Sequence, residues 1–273
     1  MAVRRALVTG ASRGIGRATA VALAAAGFDV AVAARTRHEG EGRNDARGGS
    51  LPGSVASTCA EVEAHGVRTL PLYLDLLDLT SVEAAAKEVT RAWGGVDVLV
   101  NNAVHTGDGS MTLLLDVTPD VMRTKFEANV LAQVVLTQAF LPGMLDRGAG
   151  IVVNMTSATA LVDPPAPAGS GGWGFAYGMS KAAFHRLAGF LAVELGDRGI
   201  VSFNIEPGFV MTEAMQVNAA DHGLEGHYVG APPTVPAAVI TWLVTDPDAP
   251  SLNGQTIRAQ KFALEKGLHP DWR

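Results

Sequence analysis

The run Thr9-Gly10-Ala11-Ser12-Arg13-Gly14-Ile15-Gly16 limits this chain more than any other part. It is entered from a short apolar strand at residues 4–9 and followed by an alanine-rich helical stretch to about residue 26. Strand, glycine turn and helix come in the order that a dinucleotide site requires. The glycines let the backbone turn sharply and approach a pyrophosphate, which then meets the positive end of the helix. The spacing is G-x-x-x-G-x-G rather than G-x-G-x-x-G. Gly10, Ser12, Arg13, Gly14, Ile15 and Gly16 are the candidate contacts.

A second strand at residues 29–34 ends in Ala34-Arg35-Thr36-Arg37. An acidic side chain there would hydrogen-bond the ribose 2′-hydroxyl of NAD, whereas an arginine accepts the 2′-phosphate of NADP. The acid is absent and Arg35 is present, so NADP(H) is the expected cofactor. Residues 36–53 are long, polar and glycine-rich, the composition of a functional or disordered loop. They are expected to form a mobile flap, with Arg37 or Arg43 as extra phosphate contacts.

The chemistry points to Tyr177-Gly-Met-Ser-Lys181, with Ser157 upstream. Tyr177 and Lys181 are four apart on a strongly helical stretch and so share one face. A tyrosine with a pKa near ~10 is a poor acid or base at neutral pH, but an ammonium group close by stabilises the phenolate. The Ser157 hydroxyl can hold a carbonyl or alcohol oxygen while Tyr177 gives or takes the proton. Taken alone, a Tyr-x-x-x-Lys pair is more often surface decoration.

Strand and helix signals alternate through all 273 residues with no break in composition and no long repeat. With 48% hydrophobic and 18% charged residues, a large core is expected. The balance of 21 basic and 27 acidic residues, net −6, argues against nucleic acid or an anionic membrane as partner. Cys59 is the only cysteine, which excludes an internal disulfide and fits a reducing compartment. The few apolar residues before Gly10 are too short for a signal-peptide core, and no uninterrupted apolar run approaches the ~20 residues of a membrane span. A cytoplasmic protein is the expectation. His222 and His227 lack a third ligand at regular spacing, so no metal site is expected.

Taken in order, these motifs resemble the short-chain dehydrogenase/reductase superfamily over almost the whole chain. The resemblance implies a single Rossmann-type α/β domain over residues 1–273, with a doubly wound parallel sheet of about seven strands, and a homodimer or homotetramer. Arg13 fits the basic residue that NADP-preferring members often carry. Asp75 and Leu76, after a strand at 68–74, correspond to contacts of the adenine; Asn101-Asn102-Ala103-Val104 matches Asn-Asn-Ala-Gly, with Val104 in place of the glycine and facing the substrate space. Asn129 matches the asparagine that supports a water relay to the lysine and tyrosine. Thr156-Ser157 matches a Ser-Ser segment whose second hydroxyl is catalytic. Pro207-Gly208-Phe-Val210-Met-Thr212 matches the turn that faces the nicotinamide carboxamide. Asn129, Ser157, Tyr177 and Lys181 are thus the expected catalytic set, with Tyr177 and Lys181 also touching the cofactor.

Two segments are longer than the family pattern: 36–53, and the Ser157–Tyr177 interval, 177 − 157 = 20 residues, whose excess lies at 161–175. The second is expected to shape the substrate pocket with Trp173 and Phe175 as apolar walls, and 211–231, including Met215, to form a lid. The implied function is hydride transfer between NADP(H) and the carbonyl or secondary alcohol of a small hydrophobic substrate. A 3-oxoacyl-carrier-protein reductase and a non-catalytic NADP-binding sensor are the alternatives. Where the family often ends in Asp-Gly-Gly, this chain runs Ala259-Gln260-Lys261.

Overall fold

In the computed structural model, which describes residues 3–44, 48–218 and 230–272, seven strands form one parallel sheet. They are β1 (Arg5–Thr9), β2 (Asp29–Ala34), β3 (Thr69–Tyr73), β4 (Val98–Asn101), β5 (Gly150–Met155), β6 (Ile200–Glu206) and β7 (Thr256–Arg258). Their order, β3-β2-β1-β4-β5-β6-β7, reverses direction between β1 and β4. The crevice at such a reversal, above the carboxyl ends of the strands, is where doubly wound folds bind nucleotides.

The strands read as continuous apolar runs because both faces are covered. Along β1, Ala6 and Val8 enter one core and Leu7 the other; along β2, Val30 and Val32 divide from Ala31 and Ala33 in the same way. Helices α1 (Gly14–Ala25) and α2 (Val55–Glu63) contribute to the first core, α3 (Leu79–Trp93) to the second. Ser54 caps α2 and Asp78 caps α3, each accepting a backbone N–H.

Thr118 caps α4 (Pro119–Phe126), with the proline in its first turn. The helix does not stop there. It passes through a π-helical turn at Glu127–Leu131 into α5 (Ala132–Arg147), with Pro142 inside. This continuous helix is long and apolar enough to cross a membrane, and half of its most apolar window is buried in the domain. Lys125, Asn129 and Gln133 are buried on it and hydrogen-bond inward, and buried Thr137 accepts from Asn101 Nδ2 on β4 (2.9 Å), as in a core helix. The rest is α6 (Phe175–Leu195), α7 (Glu213–Asn218), α8 (Thr234–Thr245) and α9 (Ala259–Lys266). Helix α9 has no counterpart in the sequence reading. Of the expected lid, residues 219–229, with His222, His227 and Tyr228, lie outside the described residues.

The segment 36–53, expected as a flap, makes several contacts with the domain through its described residues. Arg43 and Ser50 pair as an antiparallel bridge, and Thr36, Asn44 and Leu51 are buried. Arg13 donates to Pro52 O (2.8 Å) and Gly53 O (2.9 Å), and Glu39 accepts from Gly53 N (3.1 Å) and Ser57 Oγ (2.9 Å). The many polar groups that suggested solvent are the ones that fasten the segment down.

Candidate active site

Each strand delivers its last residue to one end of the sheet, and the turns that follow surround a groove of about 450 Å³. Thr9 joins the two turns at the reversal point. Its hydroxyl donates to Val100 O (3.2 Å) and accepts from Asn102 N and Ala103 N (3.0 Å each), while Asn102 Nδ2 returns a bond to Thr9 O (2.8 Å). Gly16 is required by space: a Cβ there would lie 2.4 Å from Gly10 O and 2.5 Å from Asn102 Nδ2. The glycine turn and the Asn102 turn are one packed unit.

On the β1–β3 side, Gly10, Ser12, Arg13, Gly14, Ile15, Gly16, Arg35, Asp75 and Leu76 all line the groove. Arg43 and Asn44 join them from segment 36–53. Arg37 does not: it lines a separate depression beside Cys59 and Tyr73. Arg13 spends hydrogen bonds on Thr36 Oγ1 (3.2 Å) as well as on the two loop carbonyls. Asp75 accepts from Leu77 N (3.0 Å), a turn-capping bond made while the residue also faces the groove. Buried Cys59, its thiol pushed up to about 11 by burial, is chemically inert packing.

On the β4–β6 side stand Ser157, Tyr177 and Lys181. Ser157 follows β5 and caps a short 3₁₀ turn, accepting from Thr159 N (3.3 Å). Thr156 beside it also lines the groove but is buried, with its hydroxyl against His185 Nδ1 (3.1 Å). Tyr177 and Lys181 lie one turn apart on α6, with the ammonium 6.0 Å from the ring centroid. Lys181 is buried, donates to Met155 O (2.9 Å), and has its pKa lowered to about 8, first by burial and then by the charge of Lys125. Burial raises the Tyr177 pKa, and its hydrogen bond with Ser157 opposes that rise.

Asn129 lies behind the groove in the π turn. Its Oδ1 accepts from His105 N (2.8 Å), and its Nδ2 donates to Ser180 Oγ (3.1 Å), next to Lys181. Fully buried Lys125, one helical turn earlier, donates to His105 O and Gly107 O (2.9 Å each) and Ser110 Oγ (2.7 Å). The two residues fix the strip 104–110, which brings Val104, His105 and Thr106 to the groove. Pro207, Gly208, Val210, Thr212 and Met215 complete this side, with Ala103 and Asn102 between the halves.

Trp173 and Phe175 do not line the groove, contrary to the sequence reading. Phe175 is two residues before Tyr177 on α6, so it points about 200° away from it and is half exposed. Trp173 packs over Gly178, and Gly174 N donates to Ser110 O (2.7 Å), so the 161–175 insertion leans on the 107–112 strip instead.

Several residues here carry no sequence signal. Glu213 Oε2 accepts from Gly14 N (2.9 Å), placing a carboxylate on the helix-terminus N–H that suits an anion. Asn44 and Asn218 exchange side-chain hydrogen bonds (2.8 and 3.4 Å) across 174 residues and clasp the insertion to α7. Contacts so distant in the chain have no local pattern to betray them.

The groove thus unites an anion-accepting glycine turn with a hydroxyl, a phenol and a buried amine. The model of the short chain dehydrogenases matches residues 4–223. A short chain dehydrogenase of Pseudocercospora fijiensis is 31% identical over 94% of this chain and 80% of its own length. A 3-oxoacyl-[acyl-carrier-protein] reductase of Synechocystis is 32% identical over 92% of this chain and 93% of its own. The crystal structure of a 3-oxoacyl-[acyl-carrier protein] reductase of Brucella melitensis in complex with NAD superposes with a TM-score of 0.77 at 27% identity, covering 95% of this chain and 96% of that one. A sheet reversal, a glycine turn and a matched sequence model that spans both place this chain in the short-chain dehydrogenase/reductase family of oxidoreductases.

Proposed function

We propose that the protein transfers a hydride between NADP(H) and the carbonyl or secondary-alcohol carbon of a small hydrophobic substrate. The observation that carries this reading is the meeting of Ser157, Tyr177 and Lys181 in the groove that begins at the glycine turn. The residues also fit a dinucleotide, because Gly14 N already receives an anion, the Glu213 carboxylate. When bound, the nicotinamide supplies the redox chemistry.

The protein's part is to orient and to move one proton. The Ser157 hydroxyl holds the substrate oxygen. Tyr177 gives its proton to that oxygen in reduction and takes it back in oxidation. The Lys181 ammonium, close to the ring, favours the phenolate, as does the Ser157 hydrogen bond that opposes the effect of burial on the phenol. Asn129 holds the π turn against Ser180 and His105 and supports proton passage to Lys181. Arg35, with no carboxylate at the end of β2, supports NADP over NAD; Arg13 and Arg43 add positive charge at the same rim. Val104, Met215 and Phe209 make the substrate end largely apolar.

The Synechocystis relative favours a second reading, reduction of a 3-oxoacyl thioester. One experiment tests both: consumption of NADPH and of NADH against ketones, aldehydes, quinones and 3-oxoacyl thioesters, with Tyr177→Phe beside the wild type. A hit with NADPH that the mutation abolishes supports the proposal, and its substrate chooses between the readings. Turnover that survives Tyr177→Phe refutes the assignment; silence with all substrates despite tight NADPH binding would favour a sensor.

A further inference from the structure

Helix α9 sends one side chain back to the groove. Gln260 Nε2 donates to Pro207 O (3.1 Å) and to Phe209 O (2.8 Å), the carbonyls on either side of Gly208. Gly208 has φ +70°, and a Cβ there would lie 2.3 Å from the Gln260 nitrogen, so the amide fills the space beside the turn. Glu206 Oε1 holds the same turn from the strand side, accepting from Gly208 N (2.7 Å). The Gln260 backbone is itself fixed: Trp272 Nε1 donates to Gln260 O (3.1 Å), and Trp272 packs against the core. A primary amide carries two N–H groups on one nitrogen, which is what two carbonyls around a single residue need.

Pro207, Gly208 and Phe209 line the groove on the side that holds Ser157 and Tyr177. A dinucleotide in a doubly wound fold spans the switch point with one nucleotide on each side. The reacting ring must lie with the proton-handling groups. We infer that Gln260 is a positioning residue: through the Pro207–Phe209 turn it sets the wall on which the nicotinamide half of the cofactor seats. The inference rests on the nicotinamide reading above and adds to it a residue outside the recognised motifs.

The test compares ligands with and without the ring. NADPH and NADH are titrated by nicotinamide fluorescence, and 2′,5′-ADP and ADP, which lack the ring, by calorimetry. Gln260→Met keeps the length of the side chain and removes both donors. It is expected to weaken the dinucleotide that the wild type prefers by about tenfold and to alter the bound emission, while the ring-less counterpart binds as before. Gln260→Glu, which sets a carboxylate against the same carbonyls, is expected to lose at least as much. Equal weakening of both ligands, or wild-type affinity in either variant, overturns the inference. A wild type that binds the ring-less ligands but neither dinucleotide overturns the cofactor reading and this inference together.

Discussion

On the β1–β3 side of the groove, the polar groups come from loops: Arg13 is held by two carbonyls of the 36–53 insertion, and Asn44 by the side chain of Asn218. On the β4–β6 side, they stand on buried regular structure, with Lys181 on α6 and Lys125 and Asn129 on the α4–α5 helix. The first arrangement suits recognition, in which a phosphate can be met by any of several cations at a rim. The second suits chemistry, in which a proton must leave one atom and reach another. Burial is the cost of that precision, since a lysine in the interior loses its hydration.

The division predicts separable effects. The largest is on turnover: Tyr177→Phe should lower kcat by about 10³-fold or more, within the range for a lost general acid or base, with NADPH affinity unchanged. A matching loss of affinity in a fluorescence titration would show that the two sides are not independent. Next is stability. The Lys181 pKa of about 8 is below the ordinary lysine value of 10.5, so between these pH values the unfolded chain holds a proton that the folded chain has released. Stability therefore rises with pH across that window, and the full cost of burial is carried below about pH 8. Lys181→Met should stabilise the inactive protein by up to about 3 kcal/mol at pH 7, a gain that fades toward pH 10.5, read from denaturant melts at several pH values.

On the other side, Arg35→Ala should shift the ratio of NADPH to NADH affinity toward NADH by about tenfold to a hundredfold, the worth of a charge-assisted hydrogen bond, without changing kcat at saturation. An unchanged ratio would move recognition to Arg13 or Arg43. The smallest effect is that of Glu213→Gln. Removing a carboxylate from the α1 terminus should tighten NADPH about two- to fivefold, more at low ionic strength, in the same titration; weaker binding would mean that the contact helps to hold the cofactor.

Local grammar made much of this visible beforehand. The glycine turn and the Tyr177–Lys181 spacing each depend on residues within a turn or two of one another, and the structure has them as read. Phe175 failed because proximity in sequence to Tyr177 is opposition on a helix. The insertion at 36–53 was less legible for a different reason: its polar composition is the same whether the groups face water or, as with Glu39 and Gly53, each other. Gln260 and Asn218 were silent because their partners are 53 and 174 residues away. What sequence alone does not encode locally is which distant carbonyl an ordinary amide will find.

Glu213 gives the groove a tenant of its own. The Glu213 carboxylate is carried to Gly14 by the fold, from 199 residues away, and its contact there is intramolecular, equivalent to an effective concentration of about millimolar or more. Any phosphate arriving at that N–H therefore trades places with a carboxylate rather than entering vacant space, and when it departs the carboxylate returns. Occupancy of that N–H is thus an exchange of one anion for another, never a filling of empty space.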